Sequence, residues 1–320
     1  MKKIILLFGC FLLLTAGMIQ AEEEDGGYAG AFLRLPLQPR AAAMGGAYIG
    51  LSDDAAGQMF NPAGLTAVTS FDFSSAYRVM KLDRTLGYIS VIIPTRLQSS
   101  LGISWIYAGS GDVARRTNSG NLSGGAISSD NHAFSVTFAK QFLPVLGAGA
   151  RLNYYLKSFD DINANSIGVN LGVMISVDSL FEYGSMEERP VNDIKVGVIL
   201  QNLAAKYSWE KENAGLQTDT DDEFPVEFGL GLSFRTLYRT LLFNIDGRKN
   251  SKQAFVFRAG SEYRVHKNVD LRAGVDDGNL TAGLGFRIPI GKNLMFIDYA
   301  FSMDRADEGD DHIFGLSFRL

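Results

Sequence analysis

The amino-acid sequence predicts an all-β chain, an antiparallel transmembrane outer-membrane β-barrel of about fourteen strands with a short N-terminal helical plug in its lumen. Three observations predict it. Apolar residues alternate with small or charged ones from about Phe71 onward, most alternating segments are long enough to cross a bilayer, and the chain opens on an export leader.

The leader occupies residues 1–21. Lys2 and Lys3 precede an apolar stretch from Ile4 to Ile19, then Gln20-Ala21 and the acidic run Glu22 to Asp25. This is the build of a secretory signal peptide, with cleavage expected after Ala21. The stretch falls short of the ~20 apolar residues that a spanning helix needs. Cys10 is the only cysteine, and Leu7-Phe8-Gly9-Cys10 faintly resembles a lipoprotein cleavage box; the apolar segment running on past it argues against lipidation. Without the leader no cysteine remains, which excludes disulfides, thiol catalysis and thiolate metal sites. Loss of Lys2 and Lys3 leaves 28 basic against 35 acidic residues, a formal charge of −7 that suits no nucleic-acid binder.

Val226, Phe228, Leu230, Leu232 and Phe234 are apolar, with Glu227, Gly229, Gly231, Ser233 and Arg235 between them. The pattern recurs at Leu280, Ala282, Leu284, Phe286 and Ile288 against Thr281, Gly283, Gly285 and Arg287. It returns at Phe314, Leu316, Phe318 and Leu320 against Gly315, Ser317 and Arg319. Side chains alternate across a strand, so each segment has one greasy face and one small or charged face. Strands are read near 71–80, 84–94, 98–108, 132–142, 145–157, 164–178, 193–203, 224–236, 238–248, 252–264, 268–276, 278–289, 292–303 and 310–320. Most run 10–13 residues, matching the ~9–11 that a tilted strand needs to cross hydrocarbon and exceeding the ~5–6 usual in soluble proteins.

Short turns at Pro94-Thr95-Arg96, Leu143-Pro144, Thr236-Leu237, His266-Lys267 and Pro289-Ile290-Gly291 are assigned to the periplasmic side. The long loops 109–131 and 204–223 then fall outside, with 179–192 a long inner exception. The last strand ends on Phe318-Arg319-Leu320, an alternating aromatic segment of the kind the outer-membrane assembly machinery reads, with Leu320 in the place of the usual final aromatic. Tyr77, Tyr88, Trp105, Tyr107, Tyr154, Tyr299 and Phe301 are assigned to the greasy face near strand ends, where rings with a polar edge settle. No linker divides residues 22–320, which read as one domain with the plug at about 32–68 and the barrel at about 71–320.

From Phe32 to Val68 the strand ladder gives way to small residues and turn signals. Ser52 is expected to cap a short helix whose first turn holds Asp53 and Asp54, against the positive end of the helix dipole. Asn61 is expected to cap a second turn beginning at Pro62, which has no amide hydrogen to leave unbonded. Gly45-Gly46, Gly50, Gly57 and Gly64 permit close backbone approach, so the segment suits the inside of a lumen.

The residues Arg40-Ala41-Ala42-Ala43-Met44-Gly45-Gly46-Ala47-Tyr48, then Asp53-Asp54-Ala55, then Asn61-Pro62-Ala63-Gly64-Leu65 form a motif. It resembles the N-terminal signature of the PorV/PorQ family of outer-membrane proteins, itself related to the FadL fatty-acid channels. The resemblance implies a fourteen-stranded barrel whose N-terminal segment closes the lumen. As in FadL-like members, small hydrophobic molecules such as long-chain fatty acids would enter from outside and leave sideways through the wall. As in PorV-like members, the barrel would carry secreted proteins with a type IX secretion apparatus. The implied partners are outer-membrane lipid, a hydrophobic small molecule or secretion-system proteins. The chain departs from FadL-like members in a shorter N-terminal segment and modest outer loops.

Arg235, Arg287 and Arg319 lie on the non-greasy face at the lower ends of descending strands, with Arg264 similarly placed. They are expected to converge inside the periplasmic mouth, where Asp53 and Asp54 of the plug meet them through charge-assisted bonds; the alternative is an arginine-lined, hydrated lumen. His132, His266 and His312 sit at predicted strand ends without the companions of a catalytic triad. The acid pairs Asp53-Asp54, Asp160-Asp161, Asp221-Asp222, Asp276-Asp277 and Asp310-Asp311 match no EF-hand loop and read as solvated turns. Gly109-Ser110-Gly111 and Gly124-Gly125 lack the strand-to-helix setting of a phosphate cradle. No enzyme activity, metal or cofactor is expected. Passive transport leads, a secretion accessory is its rival, and a structural or adhesive surface barrel is the third reading.

Overall fold

The computed structural model describes residues 28–81, 83–116, 119–160, 162–180, 190–210, 222–303 and 310–320. The expected signal peptide, with Cys10, and residues 181–189 of the long inner loop lie outside the described residues.

The strands are β1 (Asp72–Val79), β2 (Arg84–Thr95), β3 (Ser99–Arg116), β4 (Leu122–Leu143), β5 (Leu146–Phe159), β6 (Ile162–Ser176), β7 (Val191–Leu203), β8 (Lys206–Glu210), β9 (Asp222–Glu223), β10 (Glu227–Thr236), β11 (Leu241–Asn250), β12 (Val256–His266), β13 (Val269–Asp276), β14 (Asn279–Ile290), β15 (Asn293–Ser302) and β16 (Asp311–Arg319). All but β8 and β9 form a closed antiparallel barrel of fourteen strands in sequence order, with β7 beside β10 and β16 beside β1. Closure removes the open edges that a membrane would not tolerate. The closing seam carries an ion pair at each end, Arg78–Asp311 at 2.5 Å and Arg319–Asp72 at 2.6 Å.

Alternation sorts side chains as expected: Leu271 is 42% exposed on the outer wall, while its neighbours Asp270 and Arg272 are 1% and 6% exposed inside. Each of the fourteen strands read from the sequence has a counterpart in the barrel. The segments expected as the longest outer loops differ. Most of 109–131 is an extension of the β3–β4 hairpin, and part of 204–223 forms β8 and β9, which pair with each other while β8 extends the ladder of β6. Polar stretches rich in Gly and Ser lack the apolar alternation that marks membrane-spanning strands, and a ribbon standing clear of the hydrocarbon does not need it. Tyr88 also departs from expectation: it points inward and its hydroxyl lies 2.6 Å from the Ser74 hydroxyl.

The N-terminal segment runs inside the barrel. Among the described residues, helix α1 (Pro39–Ala43) and 3-10 turns at Ala31–Arg34, Ala55–Met59 and Pro62–Ala67 are its only helical elements, so irregular backbone and not a helix fills most of the space. Between Gln38 and Thr66 it touches all fourteen barrel strands. The inward glycines of the strands make this approach feasible. A Cβ at Gly149 would lie 2.5 Å from Pro62, at Gly197 2.2 Å from the Ile49 carbonyl, at Gly260 2.3 Å from the Met44 carbonyl and at Gly274 2.3 Å from the Gly45 amide.

Gly274→Val should therefore push the segment off β13. Overpacking of this kind costs about 1–3 kcal/mol, and the expected outcome is a lower temperature for the shift from fast to slow gel mobility that marks barrel unfolding. An unchanged midpoint would count against the close approach.

Candidate functional site: the filled lumen and the chamber above it

Arg40, on α1, is the hub of the lower lumen. Its guanidinium donates to both carboxylate oxygens of Glu262 on β12, at 2.7 and 3.0 Å, to Asp53 at 2.7 Å and to the Tyr48 hydroxyl at 2.9 Å, with Asp54 at 3.4 Å. Glu262 also accepts from Arg272 on β13 at 2.9 Å, and Arg272 reaches Asp298 on β15 at 2.5 Å. A chain of alternating charge thus links the segment to β12, β13 and β15, and bidentate pairing fixes its orientation. On β11, the strand next to β12, Asp246 accepts the Tyr48 and Ile49 amides at 2.7 and 2.9 Å.

The four arginines expected around the plug divide. Arg235 places its guanidinium 3.9 Å from the Asp53 carboxylate, and Arg319 donates to the Asp53 carbonyl at 3.3 Å while pairing with Asp72 of the wall. Arg264 and Arg287 instead pair with Asp270 on β13, at 3.3 and 2.6 Å. The nearer wall carboxylate captures them, since Asp270 stands between both side chains. The strongest contact from plug to wall has the reverse polarity, a plug arginine on a wall glutamate.

The other motif residues have structural tasks. Asn61 caps the turn that begins at Pro62, accepting from the Ala63 amide at 3.0 Å, and its amide group donates to the carbonyls of Ile49 and of Val173 on β6, each at 3.1 Å. Gly45 has φ +67° and its amide donates to Thr281 on β14 at 2.9 Å, a backbone that β-carbon-bearing residues rarely adopt. The Met44 sulfur receives a bond from Asn244 at 3.4 Å. A Cβ on Gly64 would sit 2.3 Å from the Ser52 carbonyl, and one on Gly46 3.3 Å from Arg258. The cap of the first turn is Asp54, which accepts from the Gly57 amide at 2.9 Å; Ser52, expected in that role, donates to the Tyr48 carbonyl instead. Asp54 also takes Gln38 at 2.5 Å and the Tyr48 hydroxyl.

Sequence reasoning missed Gln58, Asp246, Glu262 and Arg272. Gln58 donates to Ser90 on β2 and accepts from Thr137 on β4, both at 2.7 Å. The signal for the wall residues was present, since each stands on the non-greasy parity of its strand, as Glu262 does beside outward Tyr263. Burial alone would raise the Asp53 carboxyl; the facing Arg40 guanidinium, with Lys195 and Arg235 behind it, prevails and holds it below the ordinary carboxylate range.

Above the segment lies a chamber of about 520 Å³, bordered by the N-terminal residues before α1 and by strands of the wall. Residues 28–31 and 33–37, Met59 and Phe60 border it on the N-terminal side, and Ile106, Arg151, Asn153, Asn170 and Gln201 border it from the wall. Three of the acids expected in solvated turns are ion-paired, Asp160 with Arg115, Asp276 with Arg258 at 2.7 Å and Asp311 with Arg78, while Asp161 and Asp221 lie outside the described residues. His132 stacks on Trp105 and Phe134, and His312 on Tyr299.

The chain matches no family model and no curated protein sequence. Solved structures share its fold. The Ralstonia pickettii toluene transporter TbuX superposes with a TM-score of 0.59 at 14% identity, covering 89% of this chain and 97% of that one. The Pseudomonas putida toluene transporter TodX gives 0.57 at 13%, covering 88% and 96%. A Pseudomonas aeruginosa FadL homologue gives 0.54 at 9%, covering 92% and 99%. At these identities the agreement is one of fold.

Glu262→Gln leaves Arg40 and Arg272 short of a buried counter-charge. Breaking such a pair costs about 3–5 kcal/mol, and amide hydrogen exchange is expected to show lost protection at Met44 to Gly57 with the strand amides still protected. Because the Asp53 carboxyl is depressed in the folded state, its contribution is present above the unfolded value near ~3.9 and is lost as pH falls through the folded one. Protection of the segment should therefore fade below about pH 4, and Asp53→Asn should blunt that fading; an identical acid profile in the variant would remove Asp53 from the account.

Proposed function

We propose that the chain is an outer-membrane channel for passive passage of small molecules with a hydrophobic body, acting without catalysis. The observation that carries this reading is the chamber, a lined cavity of ligand size held inside a transmembrane barrel and bounded by the N-terminal segment. The shared fold with proteins described as toluene transporters supports it. Its wall supplies an exit route as well. The β6–β7 ladder slips register between Val169 and Leu171, beside Asn170, Gln201 and Asn202 of the chamber lining, and Asn202 has φ +62°. Such irregularities interrupt strand pairing locally, which makes this the place for a ligand to leave sideways.

A second reading, a non-enzymatic accessory of a type IX-like secretion system, is favoured by the PorV/PorQ-like motif from Arg40 to Gly64 and by the projecting β3–β4 ribbon, which offers a partner a surface beyond the membrane.

Expression in a host lacking its own hydrocarbon channels should raise the initial uptake of labelled toluene and decanoate several-fold over the empty vector. Rates equal to the vector control, together with co-purification of secretion proteins, would replace the channel with the accessory.

A further inference from the structure

The inward arginines Arg78, Arg248, Arg258, Arg272, Arg287 and Arg319 each have a carboxylate at 3.1 Å or closer. Arg151 on β5 has none among the described residues. It is 3% exposed, and its guanidinium donates only to neutral groups: the Gln58 carbonyl at 3.4 Å, Ser104 at 3.1 Å and Ser135 at 2.9 Å, with Nε unpartnered. Arg151 borders the chamber.

We propose that the chamber is an acid-binding site in which Arg151 takes the carboxylate of a compact monoanion with an apolar body. A buried cation without a counter-charge is costly, and an anion entering beside it relieves that cost. The planar guanidinium presents paired donors that match a carboxylate, and its long contact to Gln58 is the one most readily exchanged for a ligand. Of the other cations lining the chamber, Arg248 and Arg258 are paired with Glu227 and Asp276 and Arg34 is exposed, so Arg151 is the buried one left to balance a single negative charge. The amide side chains of Asn153, Asn170 and Gln201 stand on the same wall, while Met59 and Phe60 supply apolar surface for the rest of the molecule. The site is thus suited to acids such as aromatic monocarboxylates in preference to neutral hydrocarbons. Transit of such an acid rests on the channel reading above, whereas its binding rests on Arg151.

The test uses the full-length protein purified in detergent at neutral pH, titrated with benzoate, benzamide and phenyl phosphate, and proteoliposomes assayed for entry of benzoate and toluene. Benzoate should bind about tenfold or more tightly than benzamide, the scale of a charge-assisted bond, and more tightly than phenyl phosphate. Arg151→Met, checked for the fast gel mobility of a folded barrel, should abolish the benzoate preference, and Arg151→Lys should keep part of it. Equal affinity for benzoate and benzamide in the unaltered protein overturns the proposal even where the variant does not fold, as does a preference that survives Arg151→Met. Tighter binding of phenyl phosphate overturns the monoanion assignment. Toluene entry without benzoate preference sinks this site and leaves the channel standing; benzoate preference with neither molecule entering sinks the channel and leaves the site.

Discussion

Charge enclosed by a barrel has little water to turn to, so most inward ions are paired with a charge on a nearby strand or on the N-terminal segment, and the structure is organised around that constraint. Glu262 meets it by accepting from Arg40 of the N-terminal segment and Arg272 of the neighbouring strand at once. Without Glu262, Arg40 would keep Asp53 and Asp54 of the segment and Arg272 would keep Asp298 of the wall, but the counter-charge that joins segment to wall would be lost. Orientation of the segment follows from this junction and from the paired amide bonds to Asp246 on the neighbouring strand β11.

Close packing supplies the second half of the attachment. Strand glycines on the inner face let the backbone of residues 43–62 lie directly against the wall, where any side chain would collide. The lumen beneath the chamber is therefore filled by main chain and small residues together with the buried side chains of Met44, Tyr48, Ile49, Gln58 and Leu65. This filling gives the chamber a floor at Met59 and Phe60 and sets Arg151 at the boundary between filled and open space. The same wall is irregular where β6 meets β7, so the proposed ligand site and the proposed lateral route would lie side by side.

The fold was largely legible in the residues. A period of two over membrane-length segments has few alternatives, and a slip of one residue would turn every greasy face inward; the fourteen strands consequently fell close to their expected places. The extended β3–β4 ribbon and the β8–β9 pair were not legible, because strands outside the hydrocarbon carry no apolar alternation to betray them. Tyr88 was misplaced for a related reason: an aromatic suits either face, and its partner Ser74 lies on another strand.

What the sequence alone determined was parity and local chemistry: which face of each strand is oily, that Asn61 caps a turn at Pro62, and that Gly45 lies where the backbone needs glycine. Tertiary structure decided pairing. Arg264 and Arg287 chose Asp270 over the plug, Arg40 chose Glu262 more than two hundred residues away, and Arg151 was left without a carboxylate. The reason is physical: periodicity along one strand fixes the direction of a side chain, but which charge it meets depends on the stagger of strands around a closed barrel, and that exists only once the barrel has closed.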